Sequence, residues 1–231
     1  MKKILLSLLM LTLLMPLLAG IFCTPAAAAE TVTVSGNDLA AAIQSVADGG
    51  TVQINGTCAV STWPTYNKTV TITGGTLDLT GMGTTVKFNG NVTFAAMTLT
   101  MTANATVYAN GHTVTVSEDV TVTNAVTAIY GGGAAGTTVA STSLTLLAGD
   151  YKTVYGGSNK GTVSGDSHLT VGGKVNAACD WTSHTGTYKV FGGGNADTIN
   201  GDVHFTFTGS AKANYIYGGS NGSAAKIAGD K

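Results

Sequence analysis

The sequence predicts an all-β solenoid closed at its N-terminal end by a single α-helix. Three observations lead there. Short alternating runs such as TVQIN, KTVTIT, TVKFN and TVTVS begin roughly six to nine residues apart from Thr51 onward. A Gly-rich sentence is written twice: VYGGSNKGTVSGDSHLTVGG from Val154 returns as VFGGGNADTINGDVHFTFTG from Val190. Only one stretch beyond the leader has the periodicity of a helix.

The leader comes first. Lys2 and Lys3 precede an almost wholly apolar run from Ile4 to Phe22, and Ala27-Ala28-Ala29 stands before Glu30. That order is the pattern of a secretory signal peptide. Residues 1–29 are expected to be removed after Ala29, leaving a chain that is secreted or displayed on the cell surface, with no membrane contact after cleavage. The competing reading is a membrane anchor, because the run approaches the ~18 residues that can span a bilayer. Pro16, Gly20 and the Ala run after Pro25 favour cleavage. Ile21-Phe22 before Cys23 is unlike a lipoprotein site.

Next is the helix. Leu39, Ile43 and Val46 share one helical face, so the spacing predicts a helix over 37–47. Ser35 with Asp38 suggests a capping box and Gly49 a stop. Beyond it, Val and Ile alternate with Thr, which makes strands with one apolar and one hydroxyl-bearing face. Three such strands make a turn of roughly 18–27 residues, a solenoid repeat. A β-sandwich of short strands is the structural alternative.

Composition narrows the function. Charged residues make up 10% of the chain, well under the usual ~25%, and all 11 basic residues are Lys. A chain of net charge −1 without Arg carries no electrostatic footprint for nucleic acid. With 44% apolar residues it is not a disordered segment either.

Strand, then NDLAAAIQSVADGGTVQI, then many short strands resembles the start of right-handed parallel β-helices of the pectate-lyase-like type. In that family a helix caps the first coil and a Gly-Gly-Thr-Val-x-Ile strand begins the stack. The resemblance covers roughly residues 31–125 and implies a right-handed parallel β-helix. The second half carries IYGGG, VYGGS, VFGGG and IYGGS at 129, 154, 190 and 216. It resembles the Gly-rich repeats of large adhesin-like surface proteins of Gram-positive bacteria. The chain is therefore read as capped coils over 30–128 and Gly-rich coils over 129–231, continuous with the first part. In a solenoid each coil needs neighbours on both sides, and the chain stops at AAKIAGDK with no evident cap, so the expectation is either a fragment of a longer surface protein or a last coil covered by something else.

The pectate-lyase resemblance implies polysaccharide-processing chemistry, which the residues do not support. Lyases of that type use an Arg base beside Asp-bound calcium, and this chain has no Arg. Hydrolysis needs two carboxylates flanking the glycosidic bond, and the ten Asp and two Glu are scattered mostly through turns. GGGNADTIN, at 192–200, approaches a calcium-binding nonapeptide, but Asn195 stands where the turn needs Gly and the sister segments lack the Asp. No catalytic, cofactor or metal residue is assigned on these grounds.

Three patterns remain. Asp166-x-His168 and Asp202-x-His204 each place an acid and an imidazole on one strand face. Stacked, they would form a metal-ligand set; the plainer reading is a Gly-Asp turn followed by His where Thr stands elsewhere. Thr-x-Thr recurs at 69/71, 98/100, 113/115, 121/123 and 206/208, at uneven spacing that argues against a single flat array of the kind that binds ice. Tyr130, Tyr155, Phe191 and Tyr217 each follow a β-branched residue and precede Gly-Gly, so stacked coils would align them as an outward ladder suited to glycans. Rings that pack only on one another are the alternative.

The expected function is an exported, non-enzymatic module of the cell surface, adhesin-like or a spacer, whose partners are cell-wall or host glycans or surface proteins. A carbohydrate-binding module using the aromatic ladder, or a divergent or inactive polysaccharide-processing enzyme, are the alternatives. Cys58 and Cys179 are expected to stay unpaired. Five or six coils separate them, on the order of 25 Å along the axis, against the ~7 Å reach of a disulfide.

Overall fold

The computed structural model describes residues 30–180 and 187–229. The leader and its expected cleavage site lie outside the described residues. Alternation of period two, repeated in register, produces a parallel β-solenoid of about eight turns.

The longest sheet runs the length of the described chain. It contains β1 (Thr31–Val34), β2 (Thr51–Ile54), β4 (Thr65–Thr73), β7 (Asn89–Ala95), β10 (Thr113–Val116), β14 (Thr142–Leu146), β17 (Ser167–Val171) and β20 (Val203–Phe207). A second long face stacks β6 (Thr85–Lys87), β9 (Thr106–Tyr108), β12 (Val126–Tyr130), β15 (Tyr151–Tyr155), β18 (Lys189–Phe191) and β21 (Tyr215–Tyr217). The third side changes along the axis. Early coils carry β3 (Thr57–Ala59), β5 (Thr76–Asp78), β8 (Thr98–Thr100) and β11 (Thr121–Thr123). Later coils carry β13 (Thr138–Val139), β16 (Thr162–Val163), β19 (Thr198–Ile199) and β22 (Lys226–Ile227) instead. The exchange falls after β12, where the Gly-rich corners begin, while both long faces run through it.

The core is built of columns. Val70, Val92, Val114, Leu144, Leu169 and Phe205 stack in register on the long sheet. Val86, Val107, Ile129, Val154, Val190 and Ile216 do the same on the second face. All but the last residue of the first column are fully buried, each contributing about 1.5–3 kcal/mol of apolar burial. At the C-terminal end Ile216 is 48% exposed, because no described residue covers that coil.

The cap is α1 (Leu39–Ser45), shorter than the expected 37–47. It buries Leu39, Ala42 and Ile43 and packs against β1 and β4, covering the first coil. The expected capping box does not form: Asp38 itself takes the N-cap position, with no side-chain cap bond. The chain leaves β1 through Gly36 at φ 90°, and the turn places Asn37 where its Oδ1 accepts the Ala59 N–H at 2.9 Å. Neighbouring coils thus set where the helix begins.

Asn at the turns works between coils more than within them. Asn110, Asn124 and Asn176 adopt φ of 53°, 68° and 53°. Their Nδ2 groups donate to the carbonyls of Phe88, Met101 and Lys212 in adjacent coils. Cys58 and Cys179 are both buried free thiols, the first in β3 and the second in the irregular segment after β17.

Candidate functional site

The Gly-Gly corners are the most repeated feature, and their chemistry is steric. None of Gly131, Gly132, Gly156, Gly157, Gly192 and Gly193 has a positive φ, contrary to the usual reason for turn glycine. What they supply is room. A β-carbon on Gly131, Gly156 or Gly192 would strike the carbonyl oxygen of Gly156, Gly192 or Gly218 in the next coil. On Gly132 or Gly193 it would strike Ser158 Oγ or Ser220 Oγ, and on Gly157 the Asp197 carboxylate.

That second glycine admits a ladder of buried oxygens. Ser158 Oγ accepts the Gly133 N–H at 3.2 Å, and Ser220 Oγ accepts the Gly194 N–H at 3.0 Å. The intervening coil has Gly194 in the Ser position, and Asp197 reaches into the gap so that its Oδ2 accepts the Ser158 N–H at 3.1 Å. Asp197 is 1% exposed and its Oδ1 has no hydrogen bond. Burial raises its carboxyl above the ordinary value, against the opposing pull of the Ser220 hydroxyl and nearby N–H groups. The calcium-like GGGNAD segment is therefore a packing device in which the acid replaces a missing serine.

The aromatic ladder forms, with one more rung than the sequence suggested. Tyr108, Tyr130, Tyr155, Phe191 and Tyr217 stack with successive centroid distances of 5.2, 4.6, 5.0 and 4.7 Å and planes within 13° of parallel. Tyr108 precedes Ala-Asn-Gly, so a search for the Gly-Gly signature misses it. Each ring points away from the coil interior, as alternation requires. The ladder is nevertheless buried: Tyr130, Tyr155 and Phe191 are 6%, 7% and 5% exposed, and only Tyr217 stands open at 44%. The Gly-rich loops cover the ring edges and each ring covers its neighbour's face. Beside them Asn159, Asn195 and Asn221 form a side-chain amide ladder at 3.0 and 2.9 Å, and Asn159 donates to the Tyr108 hydroxyl at 3.3 Å.

The outer face of the long sheet carries a feature invisible to spacing. Thr31, Thr51, Thr71, Thr93, Thr115, Thr145, Thr170 and Thr206 pair in unbroken register across all eight strands. A shorter column of Thr57, Thr76, Thr98 and Thr121 lies on a second face. The Thr-x-Thr pairs fall on these two faces. Their uneven sequence spacing comes from turns of different length, and in space the columns are regular.

The same outer face bears the acid–imidazole motif. His168 pairs with His204 in register and their rings stack at 4.4 Å. Asp166 Oδ1 accepts the Asp202 N–H at 2.9 Å, while its Oδ2 lies 4.0 Å from His204 Nε2. Donor atoms of Asp166, His168 and His204 all lie within 4.8 Å of one another. The structure brings these three together; Asp202 takes part through its backbone.

No protein-family model matches the chain, and no curated protein or solved structure matches it either.

Proposed function

We propose that the chain is an exported, non-enzymatic β-solenoid that serves at the cell surface as an adhesin-like or spacer module. The observation that carries this reading is the eight-threonine column. It offers one uncharged hydroxyl per coil, at the ~4.8 Å pitch of parallel strands, along the full described length. A rigid, charge-poor lattice of donors and acceptors suits polyhydroxylated or polar surfaces, so the partners are cell-wall or host glycans or surface proteins. Dispersed acids in turns, with no Arg, fit a binding or spacing role better than glycan cleavage.

Binding through the aromatic ladder is the less favoured route, since the rings cover one another and only Tyr217 offers an open face. The test has two arms. The exported protein should begin at Glu30; recovery of a chain that retains Leu5 to Phe22 would mean a membrane anchor instead. Glycan arrays and whole-cell binding should then show retention that falls when Thr115, Thr145 and Thr170 are changed together to Val, with the melt unchanged. Undiminished binding in that triple variant would dismiss the threonine face.

A further inference from the structure

We propose that Asp166, His168 and His204 form a binding site for a divalent transition-metal ion, which bridges the last two complete coils of the long sheet. Alternation sets up the site. Ser167 turns inward and is fully buried, so Asp166 and His168 on either side of it project from the same outer face. Parallel register then sets His204 directly beside His168. The sequence interval between the two histidines, which carries an irregular segment, has no effect on their contact.

The donor set selects the ion. Two neutral imidazoles and one carboxylate suit Zn²⁺, Cu²⁺, Ni²⁺ or Co²⁺, whereas Ca²⁺ and Mg²⁺ take oxygen ligands. Metal–ligand distances of ~2.0–2.2 Å put the donors of a tetrahedral site roughly 3.3–3.5 Å apart. The present separations, up to 4.8 Å, are somewhat wider, and all three side chains are exposed enough to close by small rotamer changes. Asp166 is partly oriented already, because the Asp202 N–H holds Oδ1 and leaves Oδ2 on the histidine side. Water would complete the coordination.

The site also has a structural consequence. β20 is the outermost strand of the long sheet, and its Phe205 and Phe207 are only partly covered. A shared ion would tie that strand to β17 at the end of the solenoid where packing is weakest.

The experiment uses the exported chain without a polyhistidine tag, titrated calorimetrically with Cu²⁺, Zn²⁺ and, for contrast, Ca²⁺. The informative variant is His168→Ser with His204→Thr. Ser143 and Thr113 occupy the same column in earlier coils, in register on β14 and at the head of β10, so these substitutions repeat the chain's own solution and keep the fold. Expected is one Cu²⁺ or Zn²⁺ per chain and no Ca²⁺, with affinity reduced about 10-fold or more in the double variant and in Asp166→Asn. Asp166→Asn keeps the acceptor for the Asp202 N–H. Zn²⁺ should slow amide exchange over 203–207 in the wild type and not in the double variant. Equal affinity of wild type and double variant would overturn the site, and wild-type affinity in Asp166→Asn would overturn its three-ligand form.

Discussion

Gly132 lies so close to Ser158 of the next coil that a β-carbon at position 132 would overlap the Ser158 hydroxyl oxygen. The same relationship joins Gly193 to Ser220. The repeated Gly-Gly is thus half of an inter-coil lock whose other half is a buried oxygen. Gly132→Ala and Gly193→Ala should each destabilise the protein by about 1–3 kcal/mol through overpacking, read as a lower urea midpoint. Gly218, with nothing within 4 Å of a β-carbon, is the control, and Gly218→Ala should melt like the wild type. Equal effects at all three positions would mean that backbone entropy, not space, explains the glycines.

The aromatic ladder should behave as packing. Removing a large buried ring typically costs about 3–5 kcal/mol, and stacked partners add ~0.5–1.5 kcal/mol per pair. Tyr155→Ala combined with Phe191→Ala should therefore abolish the cooperative melt, whereas Tyr217→Ala should leave it nearly intact. A double variant that melts normally but no longer binds glycans would reinstate the ladder as a ligand surface.

Asp197 should make stability depend on pH. Its folded carboxyl sits above the ordinary value of 3.8 because burial disfavours the charge. A raised pKa contributes stability that is fully present below the unfolded value and is lost as pH rises through the folded one. Asp197→Asn removes the titration and keeps one oxygen for the Ser158 N–H. Between pH 7 and pH 4 the wild type should gain stability relative to that variant, measured as the difference in melting temperature. A relative gain in the opposite direction would show that neighbouring N–H groups stabilise the carboxylate more than burial penalises it.

Cys58 and Cys179 should both titrate as thiols in the unfolded, unreduced exported chain. In the native protein Cys58 should react slowly, since it is fully buried and its thiol is pushed up by desolvation. Finding no free thiol would contradict the separation of early and late coils.

Much of the architecture was legible because it depends on period two and period 3.6. Alternating Val and Thr define an inner and an outer face without reference to any partner strand, and Leu39 and Ile43 mark the buried side of α1 unaided, with Val46 buried just past its end. The outward direction of Tyr130, Tyr155 and Phe191 followed from the same rule. Their burial did not, because what covers them comes from other coils: the ring one coil away and, for Tyr130 and Tyr155, the asparagine of a Gly-rich loop two coils on.

By itself the sequence determined the parts: which residues face inward, where the chain turns, and that one helix precedes a run of short strands. Local stereochemistry is enough for that, since alternation and glycine act within a few residues. Only the tertiary structure decided register, and register made the functional surfaces. Thr115 joins Thr145 across a coil that holds β11, β12 and β13, and His168 joins His204 across one that holds β18 and β19. Parallel strands fix which residues lie side by side, whatever length of chain intervenes, so spacing along the chain conceals both the threonine column and the histidine pair. The Gly-Gly corners belong to the same class. In them the stacked coils show that the missing β-carbon is needed for the oxygen atoms of the next turn.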